Sequence, residues 1–118
     1  MKITIIRAKC SKYGQDGVLY INNNSVCDTC EHPVRHLPTG EYSVEMVMNR
    51  KLQRFVPTLN NGHIITMDNG PFLLNNDISV GKRVVRGVLL HTAEVFDKLA
   101  IRLNKAERRG KTITLTIK

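Results

Sequence analysis

Two cysteines and two histidines fall within ten residues in Cys27-Asp28-Thr29-Cys30-Glu31-His32-Pro33-Val34-Arg35-His36. Thiolate and imidazole are the preferred ligands of zinc, and a Cys-x-x-Cys pair shares a metal when a knuckle turn presents both sulfurs. Cys27 lies in a strand-like run, where positions three apart face opposite sides. His32 follows too closely to be the second half of a zinc finger. The pattern therefore predicts two small buried thiols and two loop histidines, with Cys27, Cys30, His32 and His36 the only metal-type cluster and no cofactor required. A redox reading of the pair needs a helix N-terminus to acidify one thiol, and no helix pattern begins here.

The segment from Gly62 to Gly81, GHIITMDNGPFLLNNDISVG, is rich in glycine and asparagine and sits between apolar runs. Loops in such settings often display sites. This one holds no cysteine, serine–histidine pairing or carboxylate cluster, which points away from an enzyme. None of Gly40, Gly62, Gly70 or Gly81 opens a phosphate-cradling strand–loop–helix with Lys-Ser/Thr. His91 and Thr92 head a helical pattern, where capping or packing outweighs a role as base.

The remaining chemistry is electrostatic. Residues 1–80 carry 8 Lys+Arg against 7 Asp+Glu, and residues 81–118 carry 10 against 3, so the net charge of +8 sits in the last third. Arg102, Lys105, Arg108, Arg109 and Lys111 are the candidate binding residues for an acidic partner such as nucleic acid. The competing reading is a solvated helix end whose cations complement the helix dipole. The basic stretch carries no interleaved aromatics for stacking single-stranded bases and no helix-turn-helix partner, which leaves backbone contact through charge.

These residues need elements to position them. A chain of 118 residues supports one domain, 1–118, and one core. With no tryptophan and 5% aromatics, that core rests on Val, Ile and Leu. Three cysteines make an odd count, against a disulfide scaffold. No apolar run reaches the ~20 residues of a membrane span, and no signal peptide is legible, so a cytoplasmic or virion-associated protein is expected. Lys2 to Ala8 reads as an opening strand. Gly17 to Tyr20 and Ser25 to Thr29 flank Asn22-Asn23-Asn24 as a hairpin. Glu41 to Met48 alternates as a half-buried strand, and Phe55 to Leu59 carries Pro57, marking an edge or irregular piece. Ile64 to Met67 and Ile78 to Val80 are short strand candidates. From His91 to Arg109, Val95, Phe96, Leu99, Leu103 and Ala106 form one apolar helical stripe, with Thr92 as N-cap and Gly110 as stop. Lys111 to Lys118, KTITLTIK, alternates as a closing strand. The expected fold is mainly β (α+β): a small antiparallel sheet or partly open barrel with one C-terminal amphipathic helix and then a final strand.

Several pieces, read in order, resemble one family: Gly17-Val18-Leu19-Tyr20, Val26-Cys27-Asp28-Thr29, Glu31-His32-Pro33-Val34-Arg35, Pro38-Thr39-Gly40-Glu41-Tyr42, Arg54-Phe55 and Pro57-Thr58-Leu59. Ile78-Ser79-Val80-Gly81, Phe96-Asp97-Lys98-Leu99 and Ile113-Thr114-Leu115-Thr116-Ile117 complete the set. They resemble the phage and bacterial family known as domain of unknown function 5675. Its middle segment typically reads Ile-x-Ile-His-x-Gly-Asn and later Gly-Cys-Ile-x-Val-Gly, a His and Gly-Cys pair similar to that of L,D-transpeptidases. In this chain the histidine position falls on Thr66, the asparagine on Asn69 and the Gly-Cys pair on Asn76-Asp77. Threonine cannot act as general base, and aspartate is a poor acyl-transfer nucleophile at neutral pH. His63 lies three residues early, which on a strand places it opposite Thr66.

The resemblance therefore implies a divergent, non-catalytic member: a phage- or mobile-element-associated structural or interaction module, with a protein partner or self-assembly. Two alternatives stay open. One is a peptidoglycan-peptide-acting enzyme with L,D-transpeptidase-like chemistry, drawing on Cys27 or Cys30 with His32 or His36. The other is nucleic-acid backbone binding through the basic last third.

Overall fold

A computed structural model describes residues 1–118 as nine strands and one helix. The strands are β1 (Lys2–Arg7), β2 (Gln15–Ile21), β3 (Asn24–Glu31), β4 (Gly40–Asn49), β5 (Arg54–Leu59), β6 (Ile65–Thr66), β7 (Ile78–Val85), β8 (Val88–Leu90) and β9 (Ile113–Ile117). Helix α1 spans Thr92–Arg108. The sheet runs β5-β4-β9-β1-β2-β3-β7-β6, with β8 added to β7. A single bridge, Thr58 to Ile64, brings the two ends of that path together. The Leu59 amide also donates to the His63 carbonyl at 2.8 Å. The result is a nearly closed, mostly antiparallel barrel. The parallel exceptions are β1 with β9 and β6 with β7.

Alternation builds the inner face. Ile3 and Ile5 of β1, Leu19 and Ile21 of β2, and Ile113, Leu115 and Ile117 of β9 are all buried, while their strand neighbours Lys2, Thr4, Thr114 and Thr116 face outward. Helix α1 lays Phe96, Leu99, Ala100, Leu103 and Ala106 into this interior, making one core cluster with the strands. Without that stripe the barrel would have an empty centre, because its strands supply mid-sized side chains and, as aromatic, only the partly buried Tyr42 of β4.

The punctuation follows the sequence closely in most places. Asn22 and Asn23 form the two-residue β2–β3 turn with φ of 49° and 73°, the left-handed pair a type I′ hairpin demands. Gly110 (φ 73°) ends the helix: its amide donates to the Glu107 carbonyl at 2.9 Å and that of Lys111 to Ala106 at 3.0 Å, a Schellman closure. Pro57 occupies β5, the strand that meets its second neighbour only through the single bridge.

Two expectations change, and one strand is new. The N-cap is His91, at φ 54° and with no side-chain cap bond, so Thr92 is the first helical residue and not the cap. The chain enters α1 straight from β8, and that tight exit forces the left-handed residue one position early. Strand β8 itself has no separate sequence signal: it pairs back on β7 around Arg86-Gly87, putting Arg86 at a hairpin tip. The Ile64 to Met67 strand shrinks to Ile65–Thr66. No helix is long and apolar enough to cross a membrane.

Charged groups at one end of the barrel fasten the loops there, the Arg7–Glu31 pair on the inward side of β1 and β3 and Arg83 with Asp16 and Asp28 on the outward side of β2, β3 and β7. Arg7 forks onto buried Glu31 through Nε (3.0 Å) and Nη2 (2.7 Å), and Nη2 also donates to the Leu37 carbonyl at 2.7 Å. Arg83 donates to the carbonyls of Gly17 (2.8 Å) and Thr29 (2.6 Å) and lies 3.5 Å from both Asp16 and Asp28. The Gly87 amide donates to Asp16 at 3.2 Å, so this network also sets the β7–β8 hairpin.

Candidate functional site

The basic residues singled out from sequence converge, with one exception. Arg102, Lys105 and Arg109 succeed each other along one flank of α1 at spacings of three and four, the spacing that aligns side chains on a helix face. Lys111 follows the Gly110 turn. These four meet Lys2 of β1 across a groove of about 480 Å³ whose remaining lining is Met1, Asn22, Ala106, Thr112 and Thr114. Five cationic side chains and no carboxylate line it. All five are exposed.

Arg108 stands apart, on the helix crest and outside the groove lining. The fold explains the rest of the convergence. Strand β9 inserts beside β1, pairing Lys2 with Thr114, and so returns the chain from the helix end to the strand that carries Lys2. The Lys2 amide donates to Asn22 Oδ1 at 3.2 Å, and the Met1 nitrogen donates to the Thr112 carbonyl at 2.7 Å, fixing the floor. Lys2, Asn22, Thr112 and Thr114 carry no sequence signal for this role, since only β1–β9 pairing brings them to the helix. Arginine forks, lysine ammonium groups, hydroxyls and an amide are donors suited to phosphate oxygens.

A second groove, of about 350 Å³, contains Thr66 and Asp77 together with His63, Asp68 and Lys51. His63 Nδ1 lies 3.3 Å from Asp77 Oδ1, which also accepts the Ile64 amide at 3.0 Å. His63 thus shares the groove with Thr66 and does not oppose it across a sheet. Strand parity fails because β6 holds only Ile65 and Thr66, and His63 precedes it in a turn. Asn69 is elsewhere: its side-chain amide donates to the Leu89 carbonyl at 2.9 Å, tying this segment to β8.

The cysteine–histidine cluster disperses. Cys27 packs half-buried against the barrel core, while Cys30 is fully buried on the other face of β3, beneath Gly14 and Pro71. Burial, with the Asp28 charge second, pushes the Cys27 thiol up to about 12. Burial, with Asp16 second, does the same for Cys30, also to about 12. Both shifts oppose use as a nucleophile, which needs the thiolate, and the opposite faces of β3 keep the two sulfurs from sharing one metal. His32 Nδ1 accepts the amides of Val34 (3.1 Å) and Arg35 (2.8 Å), and His36 Nδ1 bonds the His32 carbonyl at 2.8 Å. Partial desolvation, then the charges of Arg35 and His36, hold His32 below its ordinary value. These imidazoles organise the loop after β3.

No family model, no curated protein and no solved structure matches this chain.

Proposed function

We propose that this protein is a non-catalytic interaction module whose partner is an extended polyanion, with the phosphate backbone of nucleic acid as the leading candidate. One observation carries the reading: five cations from two distant parts of the chain, Lys2 and the stretch 102–111, line one groove with no carboxylate among them. Cations on a merely solvated helix would be interleaved with acids or splayed to all sides, as Glu94 and Lys98 are at the other end of α1. The resemblance to a phage and bacterial family supports a role in a phage or mobile element. Fluorescence anisotropy with labelled oligonucleotides, competed by heparin and by anionic vesicles, tests the proposal. Tight, salt-sensitive oligonucleotide binding supports it. A preference for vesicles over oligonucleotides, or no binding to either at low salt, ends it.

A second reading, action on cell-wall peptides, is favoured by the His63–Asp77 pair in the groove that also holds Thr66. A carboxylate-oriented imidazole is the usual form of a general base. Incubation with peptidoglycan fragments decides this, with His63→Ala as control. Turnover lost in that variant supports it, and intact fragments with the wild-type chain exclude it.

A further inference from the structure

We infer that the nucleic acid taken by the basic groove is single-stranded, with one base stacked on Tyr20. This rests on the groove reading above and goes beyond it, because the groove alone would accept any phosphate backbone. The outer sheet face continues directly from the groove. Lys2 and Thr114, both groove residues, form one cross-strand row. The next row on the same face pairs Thr116 with Thr4 and Thr4 with Tyr20. Two residues along a strand is a step of ~7 Å, and directly opposed side chains have Cβ atoms ~5 Å apart. Tyr20 therefore stands one row beyond the cations, half-buried, with the small residues Thr4 and Ser25 as its direct cross-strand neighbours.

The other aromatic rings are engaged or misplaced. Phe96 is in the core under Arg54, Phe72 meets His32 edge-on, Tyr13 lies under Lys12, and the Tyr42 hydroxyl donates to the Pro38 carbonyl at 2.7 Å. Phe55 is exposed, but it opens onto the opposite flank of α1 beside Asp97. Tyr20 is the one ring on the outer sheet face that continues from the cations. A cationic groove that leads to an aromatic platform is the arrangement used to bind single strands, and a base inside a duplex cannot reach such a ring. Phosphates would lie along Arg102, Lys105, Arg109 and Lys111, and the strand would pass over Lys2 onto the sheet.

The test compares a labelled single strand of ~12 nucleotides, within the usual range for small binding domains, with the matching duplex. Tyr20→Leu should weaken single-strand binding by roughly 5- to 150-fold, the effect of losing one stacked base. It should leave the salt dependence and duplex affinity unchanged. Tyr20→Phe, which keeps the ring, should bind as wild type does. In the unaltered chain, the Tyr20 ring protons should shift in the NMR spectrum on titration with the single strand, a readout that does not depend on a variant folding. Wild-type affinity in Tyr20→Leu, unmoved ring protons, or a duplex bound as tightly as the single strand would each overturn the inference while leaving the groove in place. Failure of both nucleic acids to bind would instead remove the groove reading on which it rests.

Discussion

Neutralising Arg102 and Arg109 together gives the most direct test of the groove. Both are exposed and contribute nothing to the core, so Arg102→Gln with Arg109→Gln should fold normally. If each of the five groove cations meets one phosphate of a single strand, the slope of log K against log salt is about −0.7 per contact, or roughly −3.5 in all. Raising salt fourfold, from about 50 to about 200 mM, then weakens wild-type binding by ~100-fold. With two cations gone the slope falls to about −2, and the same salt step costs only ~20-fold. Arg108→Gln is the internal control, because that side chain carries a charge of the same sign on the same helix but outside the groove. Its slope should match the wild type. Anisotropy titrations at four or more salt concentrations read all three proteins. A wild-type slope shallower than about −1, or an equal loss in Arg108→Gln and the double variant, would show that diffuse charge rather than the groove is responsible.

Further outcomes follow from the packing. Gly87→Ala places a Cβ 2.1 Å from the Tyr13 carbonyl oxygen at a φ of 75°, so urea unfolding should show a loss of ~3 kcal/mol from clash and backbone strain together. Arg7→Met strands the buried Glu31 carboxylate and should cost ~3–5 kcal/mol, whereas adding Glu31→Leu should recover most of it; a double variant as unstable as the single would disprove the charge argument. Thiol titration should find Cys10 fast, Cys27 slow and Cys30 reactive only on unfolding, and equal rates would contradict the burial assigned to them. Because folding raises the Cys27 and Cys30 thiols, the stability they contribute is complete below their ordinary value of 9.0 and is lost as pH rises through about 12. Alkaline unfolding should therefore come later in a Cys27→Ala, Cys30→Ala variant than in the wild type, and coincident curves would refute it.

Local signals in the chain proved readable and remote ones did not. The stripe on α1, the Gly110 stop, the Asn22-Asn23 turn and the alternation of β9 each depend on neighbours within a few residues, so the order of side chains reveals them. Barrel closure depends on Thr58 meeting Ile64 and on β9 choosing β1 as its neighbour, and neither partner is marked in the sequence. The same holds for the site. Four of its cations, Arg102, Lys105, Arg109 and Lys111, stand out as a basic run. Lys2 reads only as the polar half of an alternating strand, and Tyr20 as an ordinary strand residue. Reading His63 by strand parity failed for the opposite reason: a local rule was extended across a turn into an element of two residues.

The place of β9 between β4 and β1 has a consequence for how the molecule is made. Its pairing with β1 joins residues 2–5 to 114–117, nearly the full length of the sequence. During synthesis, β1 and β4 leave the ribosome long before the strand that separates them. Until then the inward faces carrying Ile3, Ile5 and Val44 border an open slot, with unpaired amides on either side. Folding with such distant partners is slow compared with local hairpins, and it leaves a sticky intermediate in the meantime. A nascent chain stalled before residue 113 should be held by chaperones, and emergence of residues 113–117 should free it in one cooperative step.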